Sequence, residues 1–180
     1  MASFDQDDEL SGDRAFRLVY NSFVTMFRDG RLLAETLDWL TGHGYQVADV
    51  DAGACQDTKG LLDLLAEALD FPDYFGRNLD ALNDCMRDVI AGDYGFDVNA
   101  TGFVLVFRRY DVFAALEPRA AHAVLDIFAK QARDAALVGH RMMCLVQSDD
   151  PNLRFEPVGA TPVLWNDAEW LHARRRHSRA

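Results

Sequence analysis

Residues 71–90 read FPDYFGRNLDALNDCMRDVI, a short aromatic loop running into a stretch of strict helical period. Set at about 100° per residue, Leu79, Ala81, Leu82, Cys85, Met86, Val89 and Ile90 fall on one broad arc. Asp80, Asn83, Asp84, Arg87 and Asp88 fill the narrow remainder. Sorting without exceptions predicts an amphipathic helix docked on a core. Asp80, Asp84 and Asp88 then share one stripe at i, i+4 and i+8. Like charges at that spacing repel by about 0.2–0.5 kcal/mol per pair. The helix dipole favours Asp80 in the first turn but not Asp88 near the end. A stripe that costs stability points to work done outside the fold.

The sequence before this stretch alternates between periods. Residues 16–27 (FRLVYNSFVTMF) are aromatic and β-branched and read as one bent strand or two short ones around Asn21 and Ser22. Asp29 and Gly30 mark a turn. Residues 31–41 carry Leu32, Leu33, Thr36, Leu37 and Leu40 at helical spacing, closed by Gly42 and Gly44. Residues 45–51 (YQVADVD) read as a strand, so a right-handed parallel βαβ crossover is expected. Asp57 or Thr58 caps a leucine-rich helix to about residue 69, and Pro72 forbids its continuation.

Beyond the central stretch, residues 91–102 form a long connection. FVLVF at 103–107 is continuously apolar, the mark of a strand covered on both faces. A short helix follows over 109–116. Pro118 suits the first turn of a longer, alanine-rich helix that Gly139 ends. MMCLV at 142–146 is a second buried strand, and a second crossover is implied. Residues 153–165 are irregular to extended, and Asn166 or Asp167 caps a last helix over 167–174. The fold class is α/β, a mostly parallel sheet covered by helices. One domain is expected over residues 16–170, with a disordered acidic N-terminus at 1–15 and a basic tail at 171–180.

The net charge of −11 disfavours nucleic acid and anionic membrane surfaces as partners and favours a basic one. Three scattered cysteines, Cys55, Cys85 and Cys144, argue against a disulfide framework and for a reducing compartment. The acidic first residues are no signal peptide, and no apolar run nears the ~18 residues of a membrane span. The expected location is the cytoplasm. The usual phosphate-cradling loops, nucleophile elbow and zinc-protease motif are missing. Asp80 and Asp84 make a metal or acid–base pair only with further ligands, and Asp73 is the one obvious third. No enzyme activity, cofactor or metal is expected.

The uninterrupted block of Tyr74, Gly76, Asn78, Leu79, Asp80, Ala81, Leu82, Asp84 and Cys85 strongly resembles the barstar family of intracellular ribonuclease inhibitors. The resemblance extends from about residue 45 to 147, weaker after Ile90. Residues 1–43 and 148–180 lie outside it. It implies a barstar-like sheet, here extended by an N-terminal strand–helix unit and a C-terminal segment. It also implies a binding surface made by the aromatic loop and the helix after it. In the family that surface plugs the active site of a small basic secreted ribonuclease.

Carried over by position, Asp84 matches the aspartate that enters the phosphate site, and Asp80 the one a turn earlier that also meets the enzyme. Tyr74 matches a loop tyrosine that packs on a catalytic histidine. Gly76 and Asn78 match loop positions, the glycine for turn geometry and the asparagine as cap. Cys85 matches a buried cysteine. Asn83, Arg87 and Asp88 complete the candidate partner-binding set. Plain structural readings stand beside these: dipole compensation for Asp80, pairing with Arg87 for Asp84, a core anchor for Tyr74.

The departures concern the rim. Asn83 and Val89 stand where tryptophans occur, Arg77 replaces a loop acid, and Lys130 reverses the sign of a contact glutamate for which Asp126, one turn earlier, substitutes. The resemblance therefore implies an inhibitor or immunity-type protein for a basic ribonuclease or related toxin, other than the family's best-known enzyme. The alternative is a barstar-fold interaction module for a non-ribonuclease target.

Overall fold

The computed structural model describes residues 14–19 and 22–169. The element order is α1 (Arg14–Val19), β1 (Val24–Phe27), α2 (Gly30–Gly42), β2 (Tyr45–Asp51), a single 3-10 turn, α3 (Thr58–Ala68), α4 (Leu79–Ala91), β3 (Gly102–Arg108), α5 (Tyr110–Leu116), α6 (Pro118–Leu137), β4 (Met142–Gln147) and β5 (Leu164–Trp165). Among the described residues the strands form one sheet in the order β2-β3-β4-β1-β5, every pairing parallel. This is the α/β class that the sequence predicts.

The order follows from which strands tolerate cover on both faces. β3 and β4 are apolar up to their last residues, Arg108 and Gln147, and take the interior of the sheet. Phe103, Leu105 and Phe107 point into one cluster, which α3, α4, α5 and α6 cover. Val104, Val106, Met143 and Leu145 point into another, which α1 and α2 cover. β2 keeps polar Gln46, Asp49 and Asp51, and it is an edge. Its carboxylates are held there: Arg108 makes a bidentate pair with Asp49 (2.7 Å at the closest), and Arg109 pairs with Asp51.

The βαβ unit of β1, α2 and β2 is parallel as expected, and β3 and β4 lie between its two strands. The more apolar strands displace it from the centre. The extended reading of residues 16–27 holds only for β1, because 14–19 are helical. Ala15 and Leu18, three apart, dock one helical face beside Phe27 and Leu33. The Thr25 hydroxyl donates to Leu18 O at 3.2 Å. Tertiary contact overrides the β-branched composition. Arg14 and Ala15 thus belong to α1, not to a loose N-terminus. Residues 1–13, 20–21 and 170–180, with the expected tail and most of the last helix, lie outside the described residues. The start of that helix is capped as expected, Asn166 Oδ1 accepting from Ala168 N at 2.9 Å.

The segments flanking 45–147 widen the sheet. β1 pairs with β4, and β5 pairs with β1. Between them, a turn at 157–161 clasps α6. Gly159 N donates to Asp126 Oδ1 at 2.8 Å, Arg133 donates to Gly159 O, and Val158 is fully buried. Gly159 has a left-handed φ of 54°, and a Cβ there would stand 2.9 Å from the Ala129 methyl. Burial pushes the Asp126 carboxyl up, but the Lys130 ammonium and the Gly159 N–H outweigh it and leave it lowered.

Gly159→Ala will lower stability by more than about 1 kcal/mol in urea denaturation, from φ strain plus the clash. Because the folded Asp126 carboxyl lies below its unfolded value of 3.8, its contribution is present above that value and is lost as pH falls below it and through the lower folded value. Asp126→Asn will flatten that part of the acid limb in a pH series of unfolding curves.

Candidate functional site

The loop between α3 and α4 is built from two anchors and a cap. Pro72 stops α3 from continuing, and its carbonyl accepts from Phe75 N at 2.8 Å. Phe75 is buried and meets Phe71 edge-on, with ring centroids 4.9 Å apart; Phe71 in turn meets Tyr94 at 5.9 Å. Tyr74, between the anchors, points the other way and is 80% exposed. Of its two readings, the core anchor is therefore wrong, because Phe71 and Phe75 fill that role.

Gly76 has a different reason from the one expected. The left-handed residue of the turn is Arg77, at φ 49°. A Cβ on Gly76 would lie 3.0 Å from the amide nitrogen of Asn78, which itself donates to Gly76 O at 3.2 Å. The glycine makes room for the cap. Asn78 is that cap, its Oδ1 accepting from Ala81 N at 2.8 Å. Arg77 reaches back to α3 and pairs with Asp63.

α4 buries Leu82, Cys85, Met86, Val89 and Ile90, the arc read from its period, and Gly92 closes it in a left-handed C-cap. The polar stripe divides. Asp80 is exposed and has no partner among the described residues. Asp84 has a side chain 71% exposed, 3.6 Å from Arg87. Asp88 is half-buried and accepts from the Tyr94 hydroxyl at 3.1 Å. Burial, with the Cys85 and Asp88 side chains beside it, raises the Tyr94 phenol and keeps it a donor. Asn83 is also turned inward, its Oδ1 accepting at 3.0 Å from Gln131, a buried residue of α6.

Of the expected site residues, Tyr74, Asp80, Asp84 and Arg87 stand on the open face of the loop and helix. Gly76 and Asn78 shape its start, and Asn83 and Asp88 tie it to the body. Val89 is fully buried. It is a core residue, not part of a rim. Lys130 pairs with Asp126 at i, i+4, so Asp126 is occupied by Lys130 and the 157–161 turn. Asp63, Tyr94 and Gln131 escaped sequence reasoning, since their partners lie on other elements or past a helix end. Burial raises the thiols of Cys144 and Cys55, the latter helped by Asp51 and Asp57. Among the described residues no three His, Cys, Asp or Glu converge as a metal site.

The sequence model of the barstar family, described as barnase inhibitor, matches residues 45–147. That span is more than half of the chain, and the protein belongs to this family. A stretch of 37 residues is 51% identical to a protein named "Putative ribonuclease inhibitor YrdF" from Bacillus subtilis (strain 168), covering 21% of this chain and 41% of that one. The chain thus spans less than half the length of the curated relative it matches.

Asn78→Ala removes the Ala81 N–H partner and will destabilise the fold by about 1 kcal/mol. Asn78→Asp, which keeps an acceptor, will restore most of it in the same denaturation assay.

Proposed function

We propose that this protein inhibits a basic ribonuclease, laying the 72–91 loop and helix over its active site. The observation that carries the reading is the pattern of free charge around α4. The cations Arg77 and Lys130 are each held by a carboxylate of their own chain. Asp73 and Asp80 are exposed and have no partner among the described residues. The Asp84–Arg87 pair is open to water on both sides, so it is worth little and gives way to a stronger cation. What the face offers is therefore negative charge beside an exposed tyrosine.

The chemistry of the target explains the match. A ribonuclease site is cationic because it binds phosphates and stabilises charge that develops on them. A carboxylate on a rigid helix takes the place of such a phosphate and accepts charge-assisted hydrogen bonds. Tyr74 adds broad contact area at small entropic cost, since its loop is already anchored. A chain at −11 also speeds encounter with a basic protein. Family membership and the relative's printed name support the same target class. In this reading the protein acts in the cytoplasm. Two observations are in keeping: all three cysteines are free and buried, and no described helix is long and apolar enough to cross a membrane.

The test is inhibition of RNA cleavage by a panel of small basic bacterial ribonucleases, including any encoded beside this gene. The wild type will inhibit at least one, and Asp84→Ala will weaken that inhibition tenfold or more, about 1.4 kcal/mol. Asp80→Ala will weaken it less, and raising salt will weaken the wild type. Equal inhibition by Asp84→Ala overturns the site. A stable non-nuclease partner, with no ribonuclease inhibited, favours the interaction-module reading.

A further inference from the structure

Arg77 enters the inhibitory reading only as a paired cation, and its part in holding the loop goes further. It sits at φ 49°, a left-handed conformation that costs a side-chain-bearing residue about 1 kcal/mol or more. Its neighbours are fixed from both sides, by the buried ring of Phe75 and the cap of Asn78. Its guanidinium Nε points across the loop to Asp63 Oδ1 on α3. The two side chains are 52% and 45% exposed, so neither is sealed into the core.

We infer that Arg77 is a positioning residue: its ion pair with Asp63 locks the left-handed turn that presents Tyr74 and parks the loop's cation on α3, away from Asp80 and Asp84. A half-exposed pair adds little to global stability. Loops open locally at much smaller free energies, so the same pair counts for more there. A loop held in its presenting form also loses less entropy on binding. The consequence for partner choice is specific. A positive residue beside an acidic face suggests a target with an acidic counterpart. Here the counterpart lies in the protein itself, and the target needs none.

The consequence for binding rests on the inhibitory reading, whereas the tether is tested on the free protein. Hydrogen exchange is followed at the Phe75 and Ala81 amides, which are bonded to Pro72 O and Asn78 Oδ1. Arg77→Ala and Asp63→Ala will each speed both amides by roughly fivefold, the ratio for about 1 kcal/mol, and Arg77→Gly will speed them less. Amides of α2, on the other face of the sheet, that exchange by local opening without breaking this pair will stay unchanged. Arg77→Gly separates the two contributions, because it relieves the φ strain but loses the pair. Unchanged exchange at Phe75 and Ala81 in Asp63→Ala overturns the tether, whatever the protein binds.

Binding is then measured against the ribonuclease of the panel above that the wild type inhibits best. Arg77→Ala and Asp63→Ala will weaken it by the same factor, and the double variant will be no worse than either. The exchanged pair, Arg77→Asp with Asp63→Arg, will recover part of the loss. If Asp63→Ala binds as well as wild type or better while Arg77→Ala binds worse, Arg77 touches the partner and the positioning role is wrong.

Discussion

Strands β3 and β4 are apolar on both faces, and the rest of the architecture answers that constraint. Neither face tolerates water, so each needs a helical layer. α3 to α6 supply one and α1 with α2 the other. The second layer comes from residues ahead of the 45–147 span that defines the family. The segment after it contributes β5 and the clasp over α6. The chain's two flanks thus extend the sheet past β4 and complete its cover.

Covering the sheet also fixes how α4 lies. Its apolar arc is committed to the core, so its narrow polar stripe has to face outward. Secondary contacts then trim that stripe. Tyr94 takes Asp88, Gln131 takes Asn83, and what stays open is Asp80 with Asp84. Asp80 sits in the first turn, where the dipole stabilises it. The same turn is capped by Asn78 and approached through a loop pinned at Phe71, Phe75 and Arg77. Open acidic positions on a firmly held scaffold suit the capture of a cationic site, because little order has to be gained on binding.

Much of this was legible in the sequence where local chemistry decides the outcome. The arc of α4, the Asn78 and Asp57 caps, the Pro118 start and the apolar runs of β3 and β4 all appear as read. Strand order was not legible, because pairing partners are set by relative burial across the whole sheet. The helix α1 was hidden by β-branched neighbours and formed by contacts made later in the chain. Val89 carries a sharper lesson. Its own helical period put it in the core, where it is, while comparison with the family's tryptophan suggested a rim. At the turn, glycine drew attention, yet Arg77 carries the left-handed backbone because an ion pair 14 residues away holds it.

The most direct measurement is a hydrogen-exchange footprint of the protein with and without a ribonuclease it inhibits. The account predicts slowed exchange over residues 73–87, centred on Tyr74, Asp80 and Asp84, with the β2 edge and the α2 face unchanged. Protection centred on β2, or on α1 and α2, with 73–87 untouched would contradict it.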